Sequence, residues 1–101
     1  MAEFELIADG LRFPEAPVVM ADGSVIVTEI EAKRITRCWP GGKKEVIATP
    51  GGGPNGLAIG PDGKVYCCNN GGFNYVESNG YLAPHGIADD YSGGRIERID
   101  I

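Results

Sequence analysis

Glu15 and Asn55 stand forty residues apart, and both follow a proline: Phe13-Pro14-Glu15-Ala16-Pro17 and Gly52-Gly53-Pro54-Asn55-Gly56. A carboxylate and an amide carbonyl are hard oxygen donors of the kind that hold Ca²⁺, Mg²⁺, Mn²⁺ or Zn²⁺. Two donors are too few for a metal site, so further ligands are expected from elsewhere. The chain has one histidine, His85, a candidate for proton transfer near neutral pH. Phe73, Tyr75 and Tyr81 lie on a Gly-rich stretch around His85, a composition suited to a lid on an apolar pocket. Asn69 and Asn70 end an apolar run and are candidate pocket-lining residues. Asp89-Asp90 reads as a solvated turn.

The elements that position these residues come from an internal repeat. Residues 5–29 align with residues 45–69 without a gap, matching Glu5 with Glu45, Ile7 with Ile47, Ala8 with Ala48 and Pro14 with Pro54. Asp22, Gly23 and Val25 match Asp62, Gly63 and Val65. The identities fall on turns and at the ends of apolar runs, where backbone geometry restricts residue type. A period of about 40 residues with several short strands per unit is the signature of a β-propeller blade.

Strands are expected at residues 4–8, 16–20, 25–28, 34–39 and 44–48, then at 56–59, 65–68 and 94–101. Blade one spans about 14–50 and blade two about 54–101. Arg34-Ile35-Thr36-Arg37 pairs with Arg95-Ile96-Glu97-Arg98, so the offset grows from 40 to 61 and blade two carries a 21-residue insertion. That insertion is read as a loop over about 70–93. No sustained 3.6-residue apolar period occurs, so the fold class is all-β with little helix. The segment 4–8 is expected to serve as outer strand of a neighbouring or last blade, which leaves blade two without an outer strand unless another chain or a further stretch of sequence supplies one.

Composition narrows the partners. The net charge is −5 and Lys and Arg do not cluster, which argues against nucleic acid and anionic membrane. No stretch approaches the roughly 20 apolar residues of a membrane span. No basic region leads into an apolar run near Met1, and three cysteines, two adjacent, make no disulfide framework. A reducing, cytoplasmic setting is the expectation.

The runs 13–17 and 52–63 resemble the SMP-30/gluconolactonase family (senescence marker protein 30, or regucalcin-like). The resemblance implies a six-bladed β-propeller that binds one divalent cation on its axis and hydrolyses a lactone, with this chain corresponding to the N-terminal third. It implies that Glu15 ligates the metal and that Asn55 lies beside metal and substrate, the other ligands coming from later blades. Sugar-specific members carry an Arg two residues before the Asn, where this chain has Gly53. Two other expectations stand beside this one. The chain is a non-catalytic binding or scaffold module, or three copies assemble into a homotrimer that closes the propeller.

Overall fold

The computed structural model describes residues 2–101 and is all-β. Nine strands follow in chain order: β1 (Pro14–Val19), β2 (Val25–Glu29), β3 (Arg34–Cys38), β4 (Lys44–Ala48), β5 (Pro54–Ile59), β6 (Val65–Asn69), β7 (Phe73–Ser78), β8 (Tyr81–Ile87) and β9 (Arg95–Ile99). They form an antiparallel four-stranded sheet in the order β1-β2-β3-β4, a three-stranded sheet β5-β6-β9, and a two-stranded ribbon β7-β8. Among the described residues no helix is long and apolar enough to cross a membrane.

The repeat seen in the sequence is a repeat of turn chemistry and of register. At Asp22-Gly23 the aspartate Oδ1 accepts from the Ser24 backbone N–H at 2.9 Å, while Gly23 takes a φ of 85° that disfavours a side chain. Forty residues on, Asp62 Oδ1 accepts from the Lys64 N–H at 3.1 Å and Gly63 takes a φ of 76°. In the first sheet β2 pairs with β3 as Glu29↔Arg34, Thr28↔Ile35, Ile26↔Arg37 and Val25↔Cys38. In the second, β6 pairs with β9 as Asn69↔Arg95, Cys68↔Ile96, Tyr66↔Arg98 and Val65↔Ile99. Every one of these pairs maps onto its counterpart with offsets of 40 and 61.

The sheets pack face against face. Ile26, Thr28 and Ile35 lie on one face of the first sheet, fully buried, and meet Leu57, Val65, Cys67 and Ile99 on the near face of the second. Ile47 and Ala48 from β4 close the outer end of this core. Burial raises the Cys67 thiol to about 11, against a weaker backbone hydrogen bond from Asn55 acting the other way. Cys67 is therefore a packing residue.

Two expectations are corrected. Residues 4–8 form no strand: Phe4 is 96 % exposed and Leu6 75 % exposed. A strand needs a ladder partner, and within this chain no sheet edge pairs with that segment. The stretch 70–93 is largely not a loop, because β7 and β8 make a hairpin across it. Its tip is Asn79-Gly80, with φ of 54° and 79°, the two left-handed residues that a tight primed turn requires.

Candidate functional site

Glu15 lies in a backbone held by its neighbours. Phe13 and Ala16 both adopt left-handed φ values, 59° and 53°, with no glycine to relieve them. Each costs on the order of 1 kcal/mol or more and persists only where the surroundings dictate it. Here the surroundings are identifiable. The Phe13 carbonyl accepts from the Ile30 N–H at 3.1 Å, and the Phe13 ring packs on Tyr75 at 5.5 Å between centroids. The β1–β2 register then breaks between Glu15 and Val18, a bulge that turns the start of the strand. The Glu15 side chain is exposed.

Asn55 occupies the matching place on β5, where the register breaks between Pro54 and Gly56. Pro54 is fully buried and Asn55 half-buried. The structure brings the two positions together through a residue that sequence reasoning missed. The buried Thr28 hydroxyl lies 3.1 Å from the Glu15 carbonyl oxygen and 3.2 Å from the Asn55 carbonyl oxygen. A hydroxyl has a single proton, which the two carbonyls share. The sequence signal was a threonine one strand period after Ile26, on an otherwise apolar face.

The repeat also places buried polar residues at the ends of β2 and β6. Glu29 accepts from the Arg12 backbone N–H at 2.8 Å, from Arg34 at 2.7 and 3.0 Å, and from the Thr36 hydroxyl. Burial pushes the Glu29 carboxyl up, but these hydrogen bonds outweigh it and hold the pKa at about 2 against an ordinary 4.5. Asn69 does the same work without charge. Its Oδ1 accepts from Gly53 and Gly71 N–H groups at 2.9 and 3.0 Å, and its Nδ2 donates to the Gly51 carbonyl and to Glu97 at 2.8 and 3.0 Å. Both side chains tie down the segment that leads into the first strand of their sheet.

Asn69, expected to line a pocket, is thus 3 % exposed and wholly engaged with its own chain. Asn70 is half-buried. It donates its backbone N–H to the Gly53 carbonyl at 2.8 Å and accepts from the Gly72 N–H at its Oδ1, also at 2.8 Å. A Cβ on Gly53 would fall 2.0 Å from that Oδ1. The Asn70 side chain therefore fills the space that any side chain at position 53 needs, and an arginine there would displace it.

The hairpin puts Tyr75 against Phe13, two residues from Glu15, and its Glu77 within 3.8 Å of Arg12. Burial, then the nearby Glu31 charge, raise the Tyr75 pKa. Phe73 and His85 lie on the same hairpin with exposed side chains. Asp89 is exposed and accepts from Asn74 at 3.2 Å. The cavities at the sheet faces are lined by neither Glu15 nor Asn55.

The donor chemistry at Glu15 and Asn55 suits a hard divalent cation, and the number of donors does not complete a shell. Among the described residues no three His, Cys, Asp or Glu side chains gather as a ligand set. Comparison with models of known protein families finds no match, and comparison with curated proteins finds none either.

Proposed function

We propose that the two larger sheets are consecutive blades of a six-bladed β-propeller, and that this propeller hydrolyses a lactone with the help of one divalent cation, in the manner of the gluconolactonase family. The observation that carries this reading is the convergence of the Glu15 and Asn55 main chains on one buried hydroxyl. In this reading successive repeats would bring oxygen-bearing side chains from the starts of adjacent strands toward one centre shared between blades. The strained backbone on either side of Glu15 supports the same reading, since such strain concentrates at functional sites.

Glu15 would hold the cation, Ca²⁺, Mg²⁺, Mn²⁺ or Zn²⁺, through its carboxylate, and Asn55 through its amide oxygen or by positioning the substrate. A bound cation of this kind polarises a carbonyl and lowers the pKa of water. The chain's own contribution would be to hold the backbone at both donor positions before substrate arrives, through Thr28 and the two bulges. Tyr75 and Phe73 on the hairpin would supply the apolar wall beside the lactone ring. Gly53, with Asn70 packed against it, favours a lactone that needs no cationic partner at that point.

Calorimetric titration of Ca²⁺ or Mn²⁺ into the complete propeller, with lactone hydrolysis followed by acid release, tests the reading. Glu15→Gln is expected to weaken cation binding roughly tenfold or more, because an anionic ligand is lost. Equal affinity in the two proteins removes Glu15 as a ligand.

A further inference from the structure

We propose that copies of this chain associate head to tail by strand exchange. Residues 4–8 of one copy add as an outer strand to β9 of the next, whose exposed sheet face covers Val25, Val27 and Cys38 of the first.

The inference rests on the repeat in three independent places. The first is the outer strand. β4 reads Lys44-Glu45-Val46-Ile47-Ala48, and its counterpart in the repeat reads Phe4-Glu5-Leu6-Ile7-Ala8. The segment has the sequence of an outer strand, lies outside any strand in the single chain, and exposes Phe4 and Leu6. The second sheet ends at β9, with the edge away from β6 free of any strand among the described residues. An unpaired edge of this kind accepts an added strand through its backbone groups.

The second place is register and charge. β3 pairs with β4 as Ile35↔Ala48, Thr36↔Val46, Arg37↔Glu45 and Cys38↔Lys44. Carried over by the repeat, Ile96 meets Ala8, Glu97 meets Leu6, Arg98 meets Glu5 and Ile99 meets Phe4. The Arg–Glu cross-strand pair is reproduced, and the most exposed apolar residues on the two sides come under cover. Arg98 now lies 3.9 Å from Asp62, with its side chain 61 % exposed.

The third place is the sheet face. Ile26, Thr28 and Ile35 are fully buried against the second sheet, while their counterparts Tyr66, Cys68 and Ile96 line an open groove, with Ile96 74 % exposed. The surface that the repeat prescribes for this groove is the counterpart of Val65, Cys67 and Ile99, namely Val25, Val27 and Cys38. In the single chain these three lie behind a cavity walled by Glu5, Leu6, Ile7, Ala8 and Leu11. Moving residues 4–8 onto the neighbour's β9 vacates that face for the neighbour's groove. Donor and acceptor surfaces differ, so the contact is heterologous and closes as a ring where the rotation permits. A ring of three copies rests on the six-bladed reading above, whereas the exchange itself does not.

Light scattering on the 101-residue chain over a range of concentrations tests this. The expected result is a concentration-dependent rise from 10.7 kDa to three times that mass. Leu6→Pro is expected to hold the chain at the single-copy mass with its circular dichroism unchanged, since residue 6 lies in no strand of the single chain. Glu5→Arg and Arg98→Glu are each expected to weaken association roughly fivefold per contact, and the double variant to restore it. Cys68, exposed in the single chain, is expected to lose reactivity toward a thiol reagent as the mass rises. A chain that stays at 10.7 kDa up to about 1 mM overturns the proposal. So does assembly indifferent to Leu6→Pro and to the charge reversals. Assembly that obeys these variants with another copy number keeps the exchange and overturns the six-bladed reading.

Discussion

Glu15 and Asn55, forty residues apart, present their main-chain carbonyls to the same side-chain hydroxyl, that of Thr28, at 3.1 and 3.2 Å. The hydroxyl is fully buried at the seam between the two larger sheets. It therefore fixes how the first strand of one repeat sits against the first strand of the next.

Thr28→Val keeps the volume and removes the shared donor. Both carbonyls then lose that partner, and the expected loss of stability is about 1–2 kcal/mol. Urea denaturation of the two proteins measures it. A midpoint unchanged in the valine variant would mean that water replaces the hydroxyl at no cost and that the seam is wetter than its burial indicates.

Acid should destabilise the fold through Glu29, whose carboxylate the native state holds ionised. The folded chain holds its pKa at about 2, and unfolding returns it to 4.5. Between those values the unfolded state binds the extra proton, so the stabilisation is complete above pH 4.5 and is lost as pH falls toward 2. Its size is on the order of 3 kcal/mol. Glu29→Gln is expected to cost a similar amount at pH 7, because Arg34 loses its buried counter-charge, and to flatten the pH dependence below 4.5. Urea midpoints across pH 2–7 read both effects; a constant gap between the two proteins across that range would assign the acid sensitivity to other carboxylates.

Gly53 is held small by Asn70. Gly53→Ala puts a methyl group 2.0 Å from the Asn70 Oδ1 and forces that side chain off the Gly72 N–H. A cost of about 1–3 kcal/mol is expected. Asn70→Ala in the same chain should recover part of it, giving a coupling of at least about 0.5 kcal/mol in a double-mutant cycle. Additive effects would show that the alanine finds room by another route.

Much of this architecture is legible in the sequence because it is a repeat of local rules. Asp-Gly turns, strand-length apolar runs and a 40-residue offset depend on backbone geometry a few residues long, and the seven strands of the two larger sheets lie close to where those rules put them. The Asn79-Gly80 hairpin was equally legible, since Asn-Gly between short runs with β-forming residues is a strong hairpin signal. Its surrounding glycines and its position inside an insertion equally fit a long loop, and only the ladder between β7 and β8 separates the two.

What the sequence by itself determined was the repeat, the all-β class and the positions of Glu15 and Asn55 at corresponding starts of strands. Tertiary structure decided what those positions touch. Only packing of sheet on sheet turns Thr28 toward both carbonyls, buries Asn69 as a knot instead of a pocket wall, and lays Tyr75 on Phe13. It also decided that residues 4–8 form no strand, because strand formation depends on a partner edge and not on the segment's own residues. Local sequence specifies conformation over a few residues; contacts between residues far apart in the chain exist only once the faces have met.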